Sequence, residues 1–138
     1  MTELTFAVRA IGFVRSTLRA VDEAPRQADE GAPPAELVFD DRFAAALDGI
    51  ETGDVVELLT WLHRANRDTV HTRPRGDLTR AMTGVFATRS PDRPNPIGLH
   101  TVTVVEAGRR SLRVAGLEAI DGTPVIDVKI ALGSADDR

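Results

Sequence analysis

The chain has 138 residues, a formal net charge of −4, 42% hydrophobic and 28% charged residues, and no cysteine. This composition excludes a disulfide scaffold, thiolate metal sites and a cysteine nucleophile, and it is too apolar for a disordered chain. No apolar run approaches the roughly 18 residues of a membrane helix. Glu3 and Arg9 break up the first ten residues, so they do not read as a signal peptide, and a single cytoplasmic domain over 1–138 is expected.

Residues 5–14 (TFAVRAIGFV) alternate apolar with small or polar residues and predict a strand. Residues 15–35 are polar and carry Pro25, Gly31, Pro33 and Pro34, which predicts a long loop. Residues 39–47 predict a helix, with Asp40 as N-cap and Phe43 and Leu47 on one face. Residues 54–62 (DVVELLTWL) read as a buried strand, with a helix as the alternative. Residues 63–76 form an arginine-rich loop, and 82–88 a strand. Residues 89–98 hold three prolines and can be neither helix nor central strand. Strands are predicted over 99–105, 111–117 and 124–132, and Asp121-Gly122 is a hairpin signal. About six strands with one short helix imply a small antiparallel β-barrel or sandwich. No glycine-rich loop joins a strand to a helix, so a Rossmann-type site is excluded.

The charge is uneven. Between Arg64 and Arg93 lie seven arginines and three aspartates, a net +4, which leaves −8 for the rest of a chain whose total is −4. Such a block is either a solvated loop or a surface for phosphate, carboxylate or RNA backbone. Pro91, Pro94 and Pro96 fix backbone angles and hold Ser90, Arg93 and Asn95 in set directions. Pre-set polar groups lose little entropy when a ligand arrives. The competing reading is a rigid turn that pins two strands. His63, His71 and His100 lack metal-ligand spacing, so no metal site is expected. The Asp121 to Pro124 turn could offer backbone donors and the Thr123 hydroxyl to a ligand. Trp61 and the five phenylalanines read mostly as core.

The segment 84–99 carries a longer signature: a strand, then Thr88-Arg89-Ser90-Pro91, one variable residue, and Arg93-Pro94-Asn95-Pro96-Ile97-Gly98-Leu99. This run resembles the TsaA-like, TrmO-type family of tRNA methyltransferases. The likeness extends to residues 11–16, to Pro25-Arg26-Gln27, to residues 47–51 and 61–64, and to 121–124 with Asp127-Val128-Lys129. The resemblance implies a small β-barrel, an S-adenosylmethionine cofactor bound near a homodimer interface, and methylation of N6 of threonylcarbamoyladenosine beside a tRNA anticodon. Residue by residue, it implies cofactor contacts at Pro25, Arg26, Gln27, His63, Arg64, Arg89, Leu99, Asp121, Gly122, Thr123 and Pro124. The basic block supplies expected substrate contacts at Arg73, Arg75, Arg93 and Asn95. No catalytic residue is assigned, and His63, Asn95 and Asp127 are candidates to orient the acceptor.

The sequence departs from the family pattern after Lys129, where Ile130-Ala131-Leu132 replaces a proline and an aromatic residue. The activity that the resemblance implies is tRNA methylation. The alternatives are the same cofactor site acting on a small molecule or peptide, a binding module without catalysis, and a structural barrel.

Overall fold

A computed structural model describes residues 2–17 and 34–133. Its strands are β1 (Gly12–Arg15), β2 (Ala35–Phe39), β3 (Val55–Trp61), β4 (His71–Thr72), β5 (Thr83–Gly84), β6 (Ile97–Ala107), β7 (Ser111–Ala115) and β8 (Pro124–Ile130). Six of them close into a barrel in the order β1-β2-β7-β6-β3-β8, and β4 pairs with β5 in a separate two-stranded sheet. Every pairing in the barrel is antiparallel.

The alternation of side chains builds the core. Val56, Leu58 and Thr60 of β3, and His100, Val102 and Val104 of β6, point inward and are buried. Leu37 and Phe39 of β2, Leu112 and Val114 of β7, and Val14 and Val125 complete the interior. The long β3–β6 ladder runs from Val55 opposite Thr103 to Trp61 opposite Ile97. The seam is shorter, because β1 meets β8 only at Gly12 opposite Val125 and Phe13 opposite Pro124.

Four expectations are corrected here. The strand predicted over 5–14 is ordered as a ladder only over Gly12–Arg15. Asp40 N–H donates to the Ile11 carbonyl and Ile11 N–H to that of Val125, so the barrel closes there and no neighbour remains for the residues before. Leu4, Phe6 and Val8 are exposed. Second, Ala35–Phe39 is a strand rather than loop and helix start. Ala35, Leu37 and Phe39 face inward and Glu36 and Val38 outward, a period-two signal hidden by its brevity and by the prolines before it. Asp40 caps the next helix as expected, accepting the Arg42 N–H at 3.0 Å, but the helix is a 3-10 segment over Asp41–Leu47 and buries only Leu47.

Third, residues 82–88 form no barrel strand. They hold the two-residue β5 and a 3-10 turn over Val85–Ala87, because their only ladder partner is the equally short β4. Fourth, Asp121-Gly122 is a turn but not a hairpin between neighbours, since β7 and β8 are not adjacent. Gly122 has φ +85°, and its N–H donates to the Val14 carbonyl at 2.7 Å, which seats the turn on β1.

Gly12 is the tightest point of the seam. A Cβ there would press on the Val38 carbonyl oxygen and lie 3.0 Å from Phe39 Cα. Both are backbone atoms and cannot rotate away. Gly12→Ala is expected to destabilise the fold by about 1–3 kcal/mol, the range of overpacking, read as a lower midpoint in urea or thermal unfolding.

Candidate functional site

Antiparallel closure gathers the ends of β1, β3 and β7 and the starts of β2, β6 and β8 at one end of the barrel. The connections at that end are residues 16–34, 62–96 and 116–123. Of the residues expected to meet the cofactor, these connections and strand ends carry His63, Arg64 and Arg89 in the second, Leu99 at the start of β6, and Asp121, Gly122, Thr123 and Pro124 around the third. Pro25, Arg26 and Gln27 themselves lie outside the described residues.

The proline segment is held to the end of β3 by a set of hydrogen bonds. Leu62 N–H donates to the Pro96 carbonyl at 2.8 Å. Arg67 donates from Nε to the Pro94 carbonyl (2.8 Å) and from Nη2 to Asn95 Oδ1 (3.1 Å), and Asn66 N–H donates to Asp92 Oδ1 at 2.8 Å. The Arg67 guanidinium lies 5.0 Å from the centroid of the Trp61 ring, within cation–π reach. Arg89 Nη2 donates to the Leu99 carbonyl at 2.8 Å. Arg89, Leu99 and His63 are exposed. The 121–124 turn joins the same rim, because Val125 is paired with Thr60. Asp121 accepts the Ser16 N–H at 2.9 Å.

Several of the expected contact residues are also engaged within the chain. The Thr123 hydroxyl is buried and donates to the Ile120 carbonyl at 2.8 Å, so it shapes the turn from within. Arg93 donates to the carbonyls of Val85, Thr88 and Ser90 and stitches the loop. Arg73 donates to the Arg80 carbonyl at 2.6 Å. Asn95 is engaged by Arg67, and Arg75 lies in the short 3-10 turn Pro74–Gly76. Asp127 accepts the Val128 N–H and lies 3.3 Å from Lys129 Nζ. Sequence reasoning left Arg67 undistinguished within the arginine block. Its role follows from its distance to Trp61 and the prolines in space, which no spacing rule gives.

The aromatic residues are not mostly core, which corrects the sequence reading. Phe39 is buried, but Phe6 and Phe86 are more than 80% exposed and Phe13 is 42% exposed. Phe86 belongs to a lobe that also exposes Val70, Leu78 and Met82 around β4 and β5. The rim is an open surface rather than a closed cavity. Two open depressions adjoin it, one lined by Gly12, Val38, Arg110 and Pro124, the other by Arg15, Ser16, Thr17, Pro34, Glu36 and Arg113. Among the described residues no group of three or more metal-binding side chains comes together, and no helix is long and apolar enough to cross a membrane.

The fold and site together are a closed six-strand β-barrel domain with a proline- and arginine-built rim at one end. The chain belongs to the tRNA-methyltransferase O family: the family model of its N-terminal domain matches residues 13–137. Over 129 residues the chain is 40% identical to a probable S-adenosyl-L-methionine-binding protein of Methanothermobacter thermautotrophicus, covering 94% of this chain and 92% of that one. It is also 40% identical over 122 residues to an S-adenosyl-L-methionine-binding protein of Archaeoglobus fulgidus, covering 88% and 86%. Among solved structures, TrmO from Pseudomonas aeruginosa superposes with a TM-score of 0.77 at 33% identity, over 98% of this chain. The chain spans 58% of that TrmO chain.

One carboxylate in the arginine-rich lobe has a displaced titration. The Thr79 hydroxyl and N–H both donate to Asp77 Oδ1, at 2.6 and 2.9 Å, and hold the Asp77 carboxyl below its ordinary 3.8, with Arg80 adding a smaller pull. A depressed folded value means that the turn is supported above pH 3.8 and loses that support as pH falls through the folded value. An NMR titration is expected to give an Asp77 midpoint below 3.8, and Thr79→Ala is expected to move it upward.

Proposed function

We propose that this chain transfers a methyl group from S-adenosylmethionine to N6 of threonylcarbamoyladenosine beside a tRNA anticodon. The observation that carries the reading is the convergence of the described motif segments, 61–64, 88–99 and 121–124, on one barrel end, where Arg67 and Arg89 brace the proline loop against β3 and β6. The residues present fit the cofactor. Arg89 uses Nη2 on Leu99 and has further guanidinium donors for a carboxylate. Leu99, 47% exposed, offers an apolar face. Gly122 has open space where a side chain would stand, so a ligand can approach its backbone.

When bound, the cofactor supplies an electrophilic methyl on a sulfonium. The chain's contribution would be positional: the rim residues would hold the acceptor nitrogen within reach of that methyl. The N6 proton leaves to solvent water. Among the candidate orienting groups, Asn95 and Asp127 are already engaged, and His63 is exposed on the rim.

The tRNA assignment is supported by the lobe built from β4, β5 and the loops around them. It combines the arginine block with the exposed Phe86, Leu78 and Met82, which suits phosphates beside unstacked bases. Arg73 and Arg93 already donate to carbonyls, so in this reading they meet phosphate with their remaining donors. The names of the two archaeal relatives favour a second reading, a binding module without transfer. Transfer of labelled methyl into bulk tRNA decides between them. Arg89→Ala is expected to weaken cofactor binding at least tenfold, about 1.4 kcal/mol, by calorimetry. tRNA affinity is expected to fall with salt, by about 0.7–0.9 log unit per phosphate contact per log unit of salt, in filter binding. Cofactor binding without methyl incorporation would favour the module.

The working state in this reading is a cytoplasmic homodimer that completes the open rim. The exposed alternation of Leu4, Phe6 and Val8 ahead of β1 supports a second copy as the partner for these residues. Sedimentation is expected to give a dimer for the full chain and a shift toward monomer when residues 2–10 are deleted.

A further inference from the structure

Among the described residues, most buried polar side chains (Ser16, Thr60, His100 and Thr123) lie toward the end that carries the rim, with Asp54 at the opposite end. At the rim end, a chain of three polar side chains crosses the interior. Thr60 is fully buried, and its Oγ1 lies 2.8 Å from Nε2 of His100. His100 is 7% exposed, and its Nδ1 lies 2.8 Å from Oε1 of Glu118. The other oxygen of Glu118, Oε2, is buried without a hydrogen-bond partner. Both ring nitrogens of His100 are thus engaged, Nε2 by the Thr60 hydroxyl and Nδ1 by the Glu118 carboxyl, with the imidazole tautomer setting which one donates. Gly98 keeps the passage open: a Cβ there would strike Thr60 Oγ1 and come within 2.7 Å of His100 Nε2 and 3.2 Å of Leu62 Cδ2.

The three members come from three different strands or connections, and each abuts a segment of the rim. Thr60 ends the inward row of β3, just before Leu62, which holds the Pro96 carbonyl, and before His63 and Arg64. His100 follows Leu99, whose carbonyl receives Arg89. Glu118 lies in the connection from β7 to β8 and leads to the turn at Asp121. A half-satisfied buried carboxylate is a poor choice for stability alone, since the neighbouring inward positions Leu58, Val102 and Val125 are filled by apolar groups. A directional contact does what an apolar one cannot: it fixes the rotation and height of each segment relative to the others.

We propose that Thr60, His100 and Glu118 form a positioning chain that sets the geometry of the cofactor rim. The proposal rests on the cofactor reading above. All three are positioning residues, because the burial of Thr60 and His100 keeps them from the ligand. The test is calorimetric titration of S-adenosylmethionine into the full-length chain and four variants, each with a thermal melt. Thr60→Val removes the hydroxyl at nearly constant volume and is expected to weaken binding at least tenfold. Thr60→Ser restores the hydroxyl and is expected to bind within about threefold of wild type. Glu118→Ala, at a half-buried position, is expected to weaken binding similarly, and Glu118→Gln, which keeps an acceptor, to restore most of it. The Glu118 pair carries the test if Thr60→Val fails to fold. Wild-type affinity in Thr60→Val or Glu118→Ala, whatever the melting temperature, would overturn the proposal. So would conservative variants as weak as the disruptive ones. A wild-type chain that binds no S-adenosylmethionine would instead remove the cofactor reading itself and this proposal with it.

Discussion

The arrangement of this protein follows from the closure of six antiparallel strands into one barrel. In an antiparallel ring, neighbouring strands run in opposite directions, so successive connections fall at defined ends. Here the order β1-β2-β7-β6-β3-β8 sends the connections 16–34, 62–96 and 116–123 to the same end. The opposite end receives the link that carries the 3-10 helix Asp41–Leu47 and the tight turn between β6 and β7, which serve the core and the strand register. Segments up to about a hundred residues apart in sequence thereby meet without any helix to bring them together.

Within that end, rigidity has two sources. Pro91, Pro94 and Pro96 restrict the backbone before any contact is made, and Arg67, Arg89 and Arg93 then tie it by donating to carbonyl oxygens. Arginine suits this because its planar fork reaches two acceptors at once, as Arg67 does with Pro94 and Asn95. A surface that looks in sequence like seven free cations is in part an internal brace. The positive charge remains on this side of the molecule even where donors are used, so an anion approaching the rim still meets an attractive field.

The barrel's own weak point is its seam. Two paired positions join β1 to β8, reinforced by the Ile11 N–H on Val125 and the Val14 N–H on Thr123. The turn at Gly122 is fastened to β1 by the same neighbourhood. Closure of the fold and placement of the third rim connection are thus a single structural event, and a change that loosens the seam also moves the rim.

The sequence alone determined the strands whose alternation is long and unbroken. The row of β6 was legible from period two, β3 as an apolar run that left a helix open, the last strand as an apolar run after the turn, Asp40 as a cap from its side chain, and the proline segment as neither helix nor central strand from its fixed angles. The motif at 88–99 also named the family that the domain match supports. Tertiary structure decided what depends on neighbours. Residues 5–11 alternate as well as any strand, yet the ladder holds only Gly12–Arg15, paired with β2 throughout and with β8 at Gly12 and Phe13. Ala35–Phe39 is too short to announce itself and becomes a strand because β1 and β7 flank it. The fate of each arginine, the exposure of Phe86 and the meeting of Thr60, His100 and Glu118 were likewise invisible in one dimension. A residue's pattern fixes which face of its strand it occupies, but only the closed barrel fixes what stands opposite.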